Sequence, residues 1–349
     1  MRALASLLAT ALLVSGCTSS DDPAESTPDA TPPASSVTPS ETSGETSGET
    51  PTASATPPPK PPHPVSLPAY FEKRYTGGNL RIGETVFENS AWTESYATYR
   101  SNGLTISGSL LVPKGRGPFP ALVYAHGYID PDIYVNGQGL NREQDYMAAR
   151  GYVVLHVDYR NHAGSDDDPQ SDVQLRLGYT EDVIGAVLAL KKQRWVDPER
   201  VGLLGRSMGG GVVYNALVAQ PGLVDAAVVF APVSSNTVDN FNRWIRNDPS
   251  RSGIADEVIQ RYGSPEKRPG FWARTSARTY FDRITEPLMI HHGTSDDSCP
   301  LPWSRATVRA LERADKNVTF HVYDGEEHAF GPQWPLSMER TLRFFERRL

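Results

Sequence analysis

Cysteine is nearly absent from this chain: Cys17 and Cys299 are the only two among 349 residues. A disulfide framework is therefore excluded, and stability must come from a packed core. No strong charge of one sign accumulates where a core could form. From Ala69 onward the chain carries 34 acidic and 32 basic residues, which leaves no electrostatic footprint for nucleic acid. The mean hydropathy of −0.43 and the 21% of charged residues exclude a polytopic membrane protein. The eight histidines offer no pair at helical ligand spacing beside an acid, so neither a metal nor a cofactor is expected. Aromatic residues are missing altogether between Thr18 and Pro68, where 13 of the 29 prolines fall. A stretch of that composition cannot bury enough apolar surface to fold, and it reads as a disordered linker over residues 18–68.

What precedes the linker is short and apolar. The run from Ala3 to Val14 follows Arg2 and would span about 18 Å as a helix, well under the ~30 Å of a hydrocarbon core. It is expected to be a signal peptide. Val14-Ser15-Gly16-Cys17 resembles a bacterial lipobox, a branched residue and two small ones before a cysteine that becomes the acylated first residue. Acylation of Cys17 would hold the protein at the outer face of the bacterial cell membrane, since buried methylenes contribute about 0.8 kcal/mol each. The expected location is extracytoplasmic, with the folded part on a tether reaching about 40 Å. Cys299, left unpaired, is expected to be a small buried hydrophobe in a Cys-Pro turn.

From Tyr70 the patterning changes. Glu84–Arg100 and Leu104–Val112 flank Ser101-Asn102-Gly103 and read as an antiparallel hairpin. Short, branched-rich strands are expected at 121–125, 152–158, 201–204, 226–230, 288–291 and 319–323, and helices at 142–150, 173–194, 209–219, 302–316 and 335–348. Alternation over about 230 residues implies an α/β fold with a doubly wound, mostly parallel sheet in one domain, residues 69–349. One interval breaks the rhythm: residues 234–283, with Phe241, Trp244, Trp272 and Tyr280, read as a cap insert. Trp244 and Trp272 either line an acyl pocket or hold the insert on the core.

Ligands gather at the carboxyl ends of the strands in such sheets. After the strand ending at Leu204 comes Gly205-Arg206-Ser207-Met208-Gly209-Gly210-Gly211, a G-x-S-x-G turn between strand and helix. Glycines at 205 and 209 relieve clashes in this nucleophile elbow and leave the Ser207 hydroxyl at the head of the helix. A serine needs a general base, and the base needs an acid to hold its tautomer. Asp296 and Asp297 follow the strand at 288–291, and His328 follows the last strand. Asp296 is the expected acid, because an extended chain would point Asp297 the other way. The expected oxyanion donors are the amide of Met208, at a helix N-terminus, and that of Tyr128 in His126-Gly127-Tyr128.

These segments resemble the α/β-hydrolases, and more narrowly the catalytic domain of the prolyl oligopeptidase family; dienelactone hydrolases are similar. The likeness rests on Asp197-Pro198-Glu199-Arg200-Val201-Gly202 before the elbow, His292-Gly293-Thr294-Ser295-Asp296-Asp297, Gly325-Glu326-Glu327-His328 and Asp158–Ser165, and it extends over residues 85–349. The resemblance also implies that Asp296 is the catalytic acid. Three departures bear on substrate: no β-propeller fits in the 68 leading residues, Met208 follows the serine as in many esterases, and Ser298 stands where family peptidases grip the substrate backbone. A serine hydrolase acting on a small ester is therefore expected, with a serine peptidase acting on short peptides as the alternative. An alternative of another class is a surface lipoprotein that binds without catalysis.

Overall fold

The computed structural model describes residues 60–349; Cys17, the lipobox and the linker up to residue 59 lie outside the described residues. The chain packs a few residues before Ala69. Val65, Ser66 and Leu67 are buried, and α1 (Leu67–Phe71) opens with Pro68 in its first turn, where a missing amide proton is tolerated. Three antiparallel strands follow, β1 (Gly77–Glu88), β2 (Trp92–Ser101) and β3 (Leu104–Pro113). The expected single strand over Glu84–Arg100 is thus broken in two. Asn89 is the reason: its side chain accepts the amides of Ala91 at 2.7 Å and Trp92 at 2.9 Å, which closes a turn that neither charge nor hydropathy marks.

The rest alternates as expected: β4 (Phe119–Ala125), α2 (Asn141–Ala148), β5 (Val153–Val157), α3 (Gly178–Leu190), β6 (Val196–Arg206), α4 (Met208–Ala219) and β7 (Ala226–Phe230). The insert then forms α5 (Thr237–Phe241), α6 (Ser252–Tyr262) and α7 (Pro269–Arg274), before β8 (Leu288–Gly293), α8 (Leu301–Arg313), β9 (Val318–Tyr323) and α9 (Trp334–Arg348). The helix expected from Val173 begins only at Gly178, because Leu175 and Arg176 both take positive φ, at 57° and 55°.

The sheet order is β1-β2-β3-β5-β4-β6-β7-β8-β9, parallel from β5 to β9. Alternate strand residues feed two core layers, as a period of two requires. Ala121, Val123 and Ala125 meet α3 and α4 on one side, and Leu122 and Tyr124 meet α2 and α9 on the other. Strand order reverses around β4, with β5 on one flank and β6 on the other, so the loops after β4 and β6 open a crevice between them. The insert is anchored by Trp272, which is fully buried against Phe241 and donates its indole N–H to the Gly263 carbonyl at 3.0 Å. Trp244 instead faces the cavity described below. Among the described residues no helix is long and apolar enough to cross a membrane.

Candidate active site

Ser207 ends β6 and precedes α4 at φ 57°, ψ −120°, a conformation that costs of order 1–3 kcal/mol for a residue with a side chain. Packing imposes it. A Cβ on Gly209 would lie 1.9 Å from the Ala125 carbonyl oxygen, and one on Gly205 would lie 2.5 Å from that of Gly209. The helix can approach the β4 end only because both positions are glycine. The Ser207 amide donates to Phe230 O, and its carbonyl accepts from Gly210 and Val233. Backbone bonds therefore hold the elbow from both sides.

Asp296 and His328 arrive on the loops after β8 and β9. Those loops meet closely: a Cβ on Gly293 would lie 2.1 Å from Glu326 O. His328 Nδ1 donates to Asp296 Oδ2 at 2.9 Å, with Oδ1 at 3.1 Å. Because an ionised carboxylate only accepts, this contact places the proton on Nδ1 and leaves the Nε2 lone pair free. Burial by itself would raise the carboxyl pKa of Asp296. Hydrogen bonds from His292, His328 and the Cys299 amide outweigh it and hold the group well below the usual carboxylate range. Asp297 is exposed and makes no contact with His328, so the structure brings only the first acid of the pair to the histidine.

The Ser207 hydroxyl and His328 line one cavity of about 460 Å³. In this conformation Oγ faces the Cys299 thiol at 3.8 Å and makes no hydrogen bond to His328; catalytic contacts of this kind commonly tighten only around substrate. Cys299 is buried, and burial, with the Asp296 charge second, pushes its thiol up to about 12. The thiol stays protonated, as befits a small apolar filler beside the elbow.

Met208 is the first residue of α4, so its amide has no intrahelical acceptor, and neither it nor the Tyr128 amide donates to a described backbone group. The Tyr128 backbone is held through its neighbour. His126 is buried, contacts Gly127 O and Asp158 O through its two ring nitrogens, and is kept neutral by burial, its pKa lowered to about 3. The Tyr128 side chain is 42% exposed, with the guanidinium carbons of Arg176 and Arg251 at 4.6 and 4.5 Å from its ring.

Sequence reasoning missed several supports. His292 is buried with Nε2 facing Cys299 O at 2.7 Å and Asp296 Oδ2 at 3.2 Å. Two acceptors there place its proton on Nε2, and Nδ1 accepts from Ser304 Oγ at 2.7 Å. Asp158 gathers the loop after β4, accepting from Tyr134 Oη, Asn136 Nδ2 and Gly137 N. Arg206, next to the serine, binds the same loop through Gly139 O and pairs with buried Glu143. Only the His-Gly-Thr run hinted at His292. Asp158 and Arg206 lie in segments that the sequence singled out, but nothing there marks their part in holding the loop after β4, since their partners lie elsewhere along the chain. Among the described residues no group of three His, Cys, Asp or Glu could hold a metal ion.

A doubly wound sheet, a serine on a strand-to-helix elbow and a histidine held by a strand-end aspartate define an α/β-hydrolase. Residues 138–349 match the model of the prolyl oligopeptidase family, and the chain belongs to that family. Its relatives include both peptidases and esterases. It is 27% identical over 269 residues to the uncharacterised peptidase YuxL of Bacillus subtilis, covering 74% of this chain and 38% of that one. It is 31% identical over 247 residues to esterase EstD of Thermotoga maritima, covering 65% and 58%. The chain thus spans less than two thirds of the length of either relative. Among solved structures, an acetyl xylan esterase from Paenibacillus sp. R4 superposes with a TM-score of 0.61 at 20% identity, covering 81% of this chain and 92% of that one. Dipeptidyl peptidase 4 of Porphyromonas gingivalis superposes at 0.60 and 21% identity, covering 74% and 36%.

Proposed function

We propose that the protein cleaves a carboxylic ester through an acyl-enzyme on Ser207. The observation that carries this reading is His328 Nδ1 at 2.9 Å from buried Asp296, in the same cavity as the strained serine. Ser207 Oγ attacks the ester carbonyl as its proton passes to His328 Nε2, and Asp296 holds the imidazolium. The amides of Met208 and Tyr128 receive the oxyanion. His328 then protonates the departing alkoxide, and water, deprotonated by the same histidine, releases the acid. An alkoxide needs less help to leave than an amine, so this minimal set suits esters first. Ser298 supplies no long side chain to grip a peptide backbone, and the esterase likeness covers nearly the whole of the Paenibacillus enzyme. A peptidase acting on short peptides is the second reading, supported by the peptidase relatives.

Labelling with a fluorophosphonate probe tests the nucleophile: Ser207→Ala and His328→Ala are each expected to lose it, and full labelling of Ser207→Ala would sink the assignment. An unlabelled, folded wild type would favour a non-catalytic binding lipoprotein. Short p-nitrophenyl esters should turn over faster than Gly-Pro or aminoacyl p-nitroanilides, and comparable anilide rates would move the assignment to peptidase. We further propose that the protein is exported and lipid-anchored through Cys17, on the strength of Val14-Ser15-Gly16-Cys17. Cys17→Ala should shift the protein from the membrane to the soluble fraction, and unchanged membrane association would overturn the anchor.

A further inference from the structure

The cavity that holds Ser207 is walled on one side by the nucleophile's own helix, through Met208, Gly211 and Val212, and on the other by Phe241 and Val258 of the insert. Two acids and two arginines also line it, Asp172, Asp248, Arg176 and Arg251, so the formal charge cancels. The potential inside does not cancel, because the two signs are covered unequally. The arginine side chains are 18% and 17% exposed, whereas Asp172 and Asp248 are 41% and 39% exposed and screened by water.

The two arginines also differ. Arg176 is answered by Asp172, its Nε donating to Oδ1 at 2.5 Å, and its Nη1 reaches the Met208 sulfur at 3.6 Å. Arg251 has no such partner. Its closest carboxylate, Asp248 Oδ2, stands 3.9 Å from Nε, and Asp248 Oδ1 is taken up by the amide and hydroxyl of Ser250 at 2.9 and 2.7 Å. Among the described residues no acceptor meets the terminal nitrogens of Arg251. The Arg251 nitrogens are not sealed off from solvent, and a half-buried guanidinium free of protein acceptors offers a planar fork that matches a carboxylate. The Tyr128 ring lies beside this group and that of Arg176 alike, within 4.6 Å of both guanidinium carbons. Tyr214, on the Ser207 helix, adds a buried hydroxyl with no partner to the same cavity.

We propose that the substrate's acyl part carries a carboxylate, held by Arg251 with Arg176 and Tyr128 beside it. The acyl side is assigned because the acyl group stays bonded to Ser207 while the leaving group diffuses away, so the walled cavity serves the part that remains. This inference rests on the acyl-enzyme reading above.

The test uses mono-p-nitrophenyl esters of glutarate, adipate and pimelate beside the neutral valerate, hexanoate and heptanoate of equal chain length. In the wild type at least one anionic ester should exceed its neutral partner in kcat/KM by about tenfold or more. Arg251→Met should lower that ratio by about tenfold or more, and Arg251→Lys, which keeps the charge without the fork, should fall between. A wild type that prefers every neutral ester, or a ratio unchanged in Arg251→Met, would overturn the proposal. A preference shown only for a leaving-group carboxylate, as in 4-acetoxybenzoate against phenyl acetate, would overturn the acyl-side assignment. Fluorophosphonate labelling separates the two failures. Labelled enzyme without anionic preference defeats only this inference, and enzyme that neither labels nor turns over any ester defeats the acyl-enzyme reading with it.

Discussion

At the residue scale the site turns on which of two adjacent carboxylates is buried. Asp296 accepts from His328, from His292 and from the amides of Ser298 and Cys299 at 3.0 and 2.8 Å, so its charge is compensated from several directions. Asp297 lies in solvent, where its side chain meets only the Ser298 hydroxyl at 3.3 Å. Asp296→Asn keeps the shape but cannot hold the Nδ1–H tautomer in the same way, and it should reduce kcat on the best ester by a factor on the order of 10³–10⁴. Asp297→Asn should change it by less than about threefold, as exposed substitutions usually do. Steady-state kinetics of the two variants side by side checks the assignment, and the reverse order of effects would exchange the two acids.

At the scale of elements, the elbow depends on how closely α4 approaches the end of β4. Gly209→Ala would place a methyl 1.9 Å from a backbone oxygen, and neither partner can move without shifting a buried strand or helix. We expect a loss of stability of about 2 kcal/mol or more. Gly253, by contrast, sits in α6 with nothing within 4 Å of an added Cβ. There the same change should stabilise by up to about 1 kcal/mol, through helix propensity alone. Urea unfolding midpoints of the two variants provide the check, and equal effects would mean that helix propensity rather than close packing governs the elbow.

At the scale of the whole molecule, burial keeps several histidines neutral. Desolvation lowers His126 to about 3 and holds His156 and His291 well below their ordinary value. In each, the folded pKa lies under the unfolded value of about 6.5, so between the two the unfolded chain binds the extra proton. Stability is therefore complete above about pH 6.5 and declines as pH falls through that window, by up to about 1.4 kcal/mol per pH unit for each such group. The depressed carboxyl of Asp296 acts lower, its contribution being lost only below about pH 4. Urea midpoints that fall steadily from pH 7 to pH 4 are expected, and a flat profile would show that these rings are not held neutral.

How much of this was legible in the chain follows from the range of the forces involved. Strand and helix periods, the Gly205-Arg206-Ser207-Met208-Gly209 turn and the order Ser207, Asp296, His328 are local signals. Backbone conformation and patterning within a few residues write them into the sequence, and the sheet was legible for that reason. The break at Asn89 escaped because one side chain capping two amides leaves no periodic mark, and the delayed start of α3 escaped because two residues with side chains adopt positive φ. Long-range partners were beyond reach in principle. Asp158 with Tyr134 and Asn136, His292 with Ser304, and Arg176 and Arg251 around Tyr128 meet only because helices and sheet pack in three dimensions. Local pattern and chain order carry the fold class and the expected triad of Ser207, Asp296 and His328. Only packing supplies the partners that compensate Asp296 beside the histidine, and only packing sets Arg251 at the cavity with no protein acceptor on its terminal nitrogens, because burial and charge compensation depend on neighbours that chain order does not name.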